Sequence, residues 1–363
     1  MIRLEIANIE TYLKRVYGDD AKLLAAGDIG SLDAQGMKGF GYGKPLLIRF
    51  MAGGEIREAV LSIMKGDKYG HQFYWDRAAI LMFQHETSAR MERHVRPMGL
   101  GYVDDDNALI PVDRPREFFI VNEKLEGHDY FLDLERIRLG DFRDSDLELA
   151  RDYARWLARV HSRKLDDAPL YHRRIRNLIG SSECILGMID EAYPHPYPAF
   201  EDARFIALEK RLVDWRWKLR GYAHRLSAVH GDFHPWNVLV TEQGEFSVLD
   251  RSRGEWGEPG GDLATMAINY LLWSLYGHDR LAGPFERLYR VYFGEYLERT
   301  GDAEVLEVLA PFFVFRALVI ASPQWYPDHP ASVRQGLFNL MVNVLEDDVF
   351  DWENIDKYME RGA

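Results

Sequence analysis

The segment VHGDFHPWNVLVTEQGEFSVLD, residues 229–250, places the strongest constraint on the fold of this chain. NVLV and FSVLD are short β-type runs separated by the turn sequence TEQGE, so the segment predicts a polar loop followed by a tight hairpin. Such a hairpin would bring Asn237 and Asp250 to the same end of a two-stranded ribbon. Side chains held in place by the backbone in this way form a preorganised ligand site.

Three interpretations of this segment are open from the residues alone. His230, Asp232 and His234 form H-x-D-x-H, a set of metal-binding residue types found in hydrolases, although the other histidines form no companion motif. A capped turn, whose polar side chains serve the backbone, would be structural. The third interpretation is phosphoryl transfer, because Asn237 follows Asp232 by five residues, as in the kinase loop H-R-D-x-x-x-x-N. Asp250 then stands where kinases place a second metal-binding aspartate.

HGDFHPWNVLV and the following VLDRSRGEWGEPGGDLA resemble the catalytic and metal-binding segments of the aminoglycoside phosphotransferase and choline kinase family. The resemblance is strong over residues 229–264 and extends over about 21–345. It implies an α+β, two-lobed protein-kinase-like fold with a small antiparallel-sheet N-lobe and a larger, mainly helical C-lobe. It also implies transfer of the γ-phosphoryl group of ATP or GTP to a hydroxyl of a small molecule, such as a sugar, an aminoglycoside-like compound or an amino-alcohol. Asp262 stands at a predicted helix start, where a carboxylate can cap free N–H groups, and in the family the matching aspartate also braces the catalytic loop.

The order of sequence patterns along the chain agrees with that fold. Residues 1–20 have the apolar spacing of an amphipathic helix, and AKLLAAGD, KPLLIRF and REAVLSIMK predict antiparallel strands. WDRAAILMFQHETSARMERHV, residues 75–95, predicts a helix, and EFFIVNEKLEG, residues 117–127, predicts a strand that runs into a turn. From about residue 147 the patterns are mainly helical. We therefore predict an N-terminal nucleotide-binding lobe of residues 1–127, with a hinge near 121–127, and a helical C-terminal lobe of residues 128–363.

A kinase needs groups that hold the phosphates of its nucleotide. Glycine lets backbone N–H groups approach phosphate, and six glycines cluster between the first two predicted strands, at positions 27, 30, 36, 39, 41 and 43. The cluster could equally be a surface turn. Lys65 ends a run on the third strand that is similar to V-A-I-K, so we expect it to align the phosphates, with Lys44 and Lys68 as alternatives.

The same comparison with kinases indicates a partner for the lysine and a place for the purine. Asp76 resembles the family's acidic residue that orients the lysine, although it could instead cap its helix, and Glu86 is the second choice. In the segment 117–127, Asn122 would offer a backbone carbonyl and Lys124 a backbone N–H to the purine edge. That segment could also be a plain linker.

The predicted chemistry depends on three residues. Asp232 is predicted to be the catalytic base, and Asn237 and Asp250 are predicted to hold Mg²⁺. All three are present, which argues against a non-catalytic pseudokinase, and the HGD sequence argues against a protein kinase. Arg251 and Arg253 occupy positions where kinases usually have apolar residues or glycine. They could bind an anionic substrate or pair with neighbouring acids.

Charge and composition narrow the range of binding partners and cellular locations that the sequence predicts. The net charge is −13 and no long basic stretch is present, so nucleic acid and anionic membranes are poor partners. The single Cys184 allows no internal disulfide and points to a reducing compartment. Apolar runs such as APFFVFRALVIA are shorter than the roughly 20 residues that cross a bilayer, and the N-terminus does not resemble a signal peptide. We expect a cytoplasmic protein with a small-molecule hydroxyl acceptor, and the oligomeric state is not predicted.

Overall fold

The structure is a computed structural model that describes residues 5–28, 45–66, 70–88, 90, 93–113, 115 and 117–360. The chain divides into two compact units, Met1–Asn122 and Glu123–Ala363. The described helices are α1 (Ile6–Tyr17), α2 (Tyr74–Ser88), α3 (Tyr130–Arg138), α4 (Asp144–His161), α5 (Ala168–Gly180), α6 (Ile185–Ala192), α7 (Asp202–Leu219), α8 (Gly260–Leu275), α9 (Gly283–Thr300), α10 (Ala310–Ala321) and α11 (Ala331–Asn343). The described strands are β1 (Lys22–Asp28), β2 (Leu46–Ala52), β3 (Glu55–Leu61), β4 (Leu100–Val103), β5 (Leu109–Val112), β6 (His128–Asp129), β7 (Ser227–Ala228), β8 (Val238–Val240), β9 (Phe246–Val248) and β10 (Trp256–Gly257).

The first unit contains the three strands that the sequence predicts, in an antiparallel sheet of order β1-β2-β3. Gly53 and Gly54 both have positive φ, which permits the tight turn between β2 and β3. Alternate residues of β2 are buried, as expected for a strand with one face on a core. That core also includes Ile9 and Leu13 of α1, so the amphipathic N-terminal helix packs on the sheet.

Strand β3 ends at Leu61, four residues before Lys65, so the prediction that Lys65 lies on the third strand is wrong. The register pairs Leu61 with Leu46, the first residue of β2, and the residue that precedes Leu46 in the chain is Pro45. Proline has no N–H to donate to the ladder, so pairing stops there. Lys65 is exposed in the loop that follows the strand.

Residues 117–126 form no strand in the structure, in contrast to the prediction from EFFIVNEKLEG. Phe119, Ile120 and Val121 are 89%, 82% and 83% exposed. Aromatic and β-branched residues favour a strand only when a neighbouring strand packs against them, and these side chains lack such packing. Helix α2 likewise ends at Ser88, before the predicted residue 95.

The second unit is mainly helical, so the two units together confirm the predicted α+β class with an antiparallel sheet first and helices after it. Its centre is α8, in which almost every residue is buried. A helix that is surrounded on all sides has no polar face, which explains its run of apolar residues. The short sheet β6-β8-β9 carries the predicted hairpin. None of the described helices combines the length and the apolar character that a membrane span requires.

Candidate active site

The loop that precedes the hairpin is anchored by Asp262, the third residue of α8. Its two carboxylate oxygens accept the backbone N–H groups of His230 and Gly231, each at 2.7 Å. His161 Nε2 lies 3.2 Å from the same carboxylate. Burial raises the pKa of Asp262, but the hydrogen bond and charge of His161 and the neighbouring His230 outweigh it, so the pKa is lowered. The buried carboxylate is therefore ionised and holds the loop.

This arrangement confirms that Asp262 braces the loop and corrects its predicted capping role. Its carboxylate binds the loop, and no side-chain cap from the residue before α8 is present. The backbone N–H of Gly260 donates instead to Glu258 Oε1 at 3.2 Å. Asp262 is thus available for the loop because another acid serves the first turn of its helix.

Gly231 is required by its conformation and by its surroundings. Its φ is +94°, a backbone conformation that residues with a Cβ rarely adopt. A Cβ at this position would lie 2.5 Å from the backbone carbonyl carbon of Arg253 and 2.5 Å from the backbone nitrogen of Gly254. The glycine of HGD therefore permits close contact between the loop and the segment that follows Asp250.

The two histidines of the loop support its backbone. His230 is buried, and its Nδ1 accepts the N–H of Asp232 at 3.2 Å. His234 Nδ1 accepts the N–H of Trp236 at 3.2 Å, and burial lowers the pKa of His234 to about 4. Among the described residues, no three His, Cys, Asp or Glu side chains are grouped to hold a metal ion.

Asp232 is 8% exposed and lies between two arginines. Its Oδ1 is 2.6 Å from Arg316 Nη2, and its Oδ2 is 3.5 Å from Arg253 Nε. Burial raises the pKa of Asp232, but the positive charge of Arg316, with smaller effects from His234 and Arg253, makes the net change a lowering. The carboxylate is therefore held ionised and is a weak base.

Arg316 was not identified from the sequence. It lies in α10, within APFFVFRALVIA, and it is the single charged residue of that buried helix. A charged side chain that is almost fully buried normally has a charged partner. An arginine inside an apolar run was therefore the available signal, although it did not indicate which carboxylate would be the partner.

Asn237 and Asp250 lie at the same end of the hairpin, as predicted. Asn237 Nδ2 donates to the backbone oxygen of Asp232 at 3.0 Å, and the N–H of Leu249 donates to the backbone oxygen of Asn237 at 2.9 Å. Asp250 follows directly, with a φ of 50° that aspartate tolerates better than most residues. Because Nδ2 is engaged, Asn237 keeps Oδ1 for a ligand. An amide oxygen and an exposed carboxylate are hard oxygen donors, a set that fits Mg²⁺.

The two arginines after Asp250 have different surroundings. Arg251 Nε and Nη2 donate to the backbone oxygen of Val229 at 3.1 and 2.9 Å, so Arg251 fixes the backbone beside the loop. Arg253 Nη1 donates to the backbone oxygen of Glu183 at 2.9 Å, while its Nε faces Asp232. Arg253 is therefore the one of the two that contacts the carboxylate of Asp232.

The residues predicted to bind nucleotide fall in both units. Lys65 and Asn122 are exposed residues of the first unit, and Lys124 is exposed near the start of the second. Asp76 lies in the first turn of α2, where its Oδ2 accepts the N–H of Phe73 at 3.0 Å. This bond agrees with a capping role for Asp76, although Asp76 is the third residue of the helix and not the residue before it. The nucleotide roles of these residues stay predictions.

Other parts of the predicted nucleotide site lie outside the described residues. These are Lys44, Lys68 and five of the six clustered glycines, at positions 30, 36, 39, 41 and 43. Glu86, the second choice for the lysine's partner, is exposed on α2 with its Oε2 3.4 Å from Arg90 Nη2.

Comparisons with known proteins give a family match and similar solved structures. Residues 78–303, more than half of the chain, match the model of the phosphotransferase enzyme family. An ethanolamine kinase of Plasmodium vivax is 14% identical over 94% of this chain and 81% of that chain, with a TM-score of 0.34. A choline kinase of Cryptosporidium parvum is 12% identical over 98% and 93% of the two chains, with a TM-score of 0.34. A choline kinase of Streptococcus pneumoniae is 12% identical over 93% and 97%, also with a TM-score of 0.34. No curated protein sequence matched the chain.

Proposed function

Because the chain belongs to the phosphotransferase enzyme family, we propose that it transfers the γ-phosphoryl group of ATP or GTP to a hydroxyl of a small molecule. The observation that carries this proposal is the grouping of Asp232, Asn237 and Asp250 at one end of the hairpin. The bond from Asn237 Nδ2 to the backbone of Asp232 at 3.0 Å ties the proposed metal ligand to the proposed base. The buried anchor Asp262 holds the backbone of this loop through two hydrogen bonds, as a preorganised site requires.

In this mechanism Asp232 accepts the proton of the acceptor hydroxyl. The acceptor oxygen forms a bond to the γ-phosphorus while the bond to the β–γ bridging oxygen breaks, and the nucleoside diphosphate leaves. The lowered pKa of Asp232, set by burial opposed by the charge of Arg316, makes it a weak base. Its main contribution is therefore to orient the hydroxyl, and proton transfer completes the step.

Asn237 Oδ1 and the carboxylate of Asp250 would hold Mg²⁺, which when bound neutralises the charge of the phosphates. We further propose that residues 1–127 form the nucleotide-binding lobe and residues 128–363 the catalytic lobe. Lys65 would align the phosphates and Asp76 would orient that lysine. The backbone groups of Asn122 and Lys124 would bind the purine.

Nucleotide binding tests the metal assignment directly. The melting temperature of the wild type should rise with ATP or GTP in the presence of Mg²⁺, because a ligand that binds only the folded state stabilises it. The rise should be lost in Asp250→Ala. It should persist in the control Glu242→Ala, an exposed residue in the turn of the same hairpin. A wild type that shows no shift with either nucleotide would contradict the proposal.

Turnover tests the role of Asp232. Nucleoside diphosphate release should be measured with sugars, amino-sugars and amino-alcohols as acceptors. Asp232→Asn should keep the Mg²⁺-dependent shift in melting temperature and lose about 10²–10⁴-fold in turnover, the range of general acid–base contributions. Robust turnover in this variant would refute the assignment of the base. Nucleotide binding without turnover in the wild type would favour the pseudokinase alternative.

A further inference from the structure

A cavity of about 200 Å³ lies in the second unit beside the catalytic loop. Its wall includes Gly231 of that loop, residues of α5 and α10, and the segment before α6. Three arginines, Arg174, Arg253 and Arg316, line it, each from a different part of the chain. Two of these arginines contact Asp232, so the wall of the cavity adjoins the proposed base.

Two positive charges in the wall of this cavity lie beside a single negative charge. Arg253 and Arg316 share one carboxylate, that of Asp232, at 3.5 and 2.6 Å. Their guanidinium carbons lie 5.3 and 4.8 Å from the ring centroid of Phe315, which holds both groups on one apolar surface. Each guanidinium has five N–H donors, so this pair of arginines can bind a second anion in addition to the carboxylate of Asp232.

Of the three acids that also line the cavity, two are engaged with other groups and the third is exposed. Glu258 forms a buried ion pair with Arg225 at 2.9 Å and accepts the hydroxyl of Tyr171 at 2.9 Å. Asp262 binds two loop N–H groups. Glu183 lines the cavity but is an exposed residue. A cation bound near Asp232 would therefore face like charge from two arginines.

We propose that this cavity is the acceptor site and that the acceptor carries a carboxylate or phosphate in addition to the hydroxyl that is phosphorylated. The inference rests on the proposed function, because it names the substrate class of the same site. The acceptor's oxyanion would bind Arg253 and Arg174, and its hydroxyl would lie at Asp232. The bonds made and broken are those of the transfer described above.

The first test measures binding without turnover, at matched ionic strength and without nucleotide. The probes are D-glucuronate, D-glucose and D-glucosamine, three pyranoses that differ in charge, together with glucose 6-phosphate. The anionic sugars should raise the melting temperature more than glucose, and glucosamine should raise it least. The apparent Kd of the better anion should rise about tenfold or more in Arg253→Gln and in Arg174→Gln, since each loses a charge-assisted contact. The larger of the two anionic shifts distinguishes a carboxylate from a phosphate.

Arg176→Gln is the matched control, because Arg176 is exposed on the same helix as Arg174. It should bind the anionic sugars as the wild type does. The anionic acceptor would be overturned if glucose or glucosamine stabilised the protein as much as both anions do. It would also be overturned if no probe stabilised the protein. Anion binding that persists unchanged in Arg253→Gln and Arg174→Gln would overturn it as well. The Mg²⁺-dependent ATP shift, measured on the same proteins, shows separately whether the proposed function holds.

Discussion

Replacing Gly231 with alanine is expected to destabilise the protein through two separable effects. At φ +94° a Cβ strains the backbone, which costs about 1–2 kcal/mol. The new Cβ would also lie 2.5 Å from backbone atoms of both Arg253 and Gly254, which cannot rotate away as a side chain can. Overpacking of this kind costs about 1–3 kcal/mol. The total of about 2–5 kcal/mol is a large part of the roughly 5–15 kcal/mol by which folded domains are stable.

Gly244→Ala isolates the first effect. Gly244 lies in the turn between β8 and β9 with φ +81°, and a Cβ there would meet no atom within 4 Å. This variant should therefore lose only the strain term of about 1–2 kcal/mol. Urea unfolding of both variants gives the steric term as the difference between their free energies of unfolding, about 1–3 kcal/mol.

The same pair of variants links the clash to catalysis. Gly231 precedes Asp232, so a shift of the loop should lower turnover by about tenfold or more in Gly231→Ala and leave Gly244→Ala close to the wild type. Equal losses of unfolding free energy in the two variants would refute the steric argument, because the backbone at residues 253–254 would then have shifted without lowering the stability.

Three further perturbations test the surroundings of the site. Asp262→Asn removes the buried charge that holds two loop N–H groups, so the free energy of unfolding should fall by about 3–5 kcal/mol in urea titrations; an unchanged value would contradict the anchoring role. Arg316→Gln removes the charge 2.6 Å from Asp232 and should lower kcat by about tenfold or more while the Mg²⁺-dependent ATP shift persists; an unchanged kcat would exclude Arg316 as a positioning residue. Burial lowers the pKa of His329 to about 4 from its ordinary 6.5, so between these values the unfolded chain binds the extra proton and wild-type stability falls as the pH falls. His329→Gln should show a shallower decline over that range, and equal slopes would refute the assignment.

Local patterns predicted much of the fold correctly. The sheet β1-β2-β3, helix α1 and the hairpin of β8 and β9 all follow from periodicity and turn residues, which act between neighbours in the chain. The phosphotransferase prediction, made from HGDFHPWN and the hairpin after it, is confirmed by the family match over residues 78–303. The strand predicted at 117–127 and the placement of Lys65 on a strand were wrong, because pairing depends on a partner that the segment itself does not encode.

The sequence by itself determined the loop, the hairpin and the spacing of Asp232, Asn237 and Asp250, since these residues lie within one short segment whose local geometry sets their relation. Only the tertiary structure decided that Arg316 contacts Asp232, as these residues are far apart in sequence and meet through the packing of α10. The charge that surrounds the proposed base arises from long-range packing, because no local periodicity indicates which buried arginine faces which carboxylate. The inferred class of acceptor depends on the same packing.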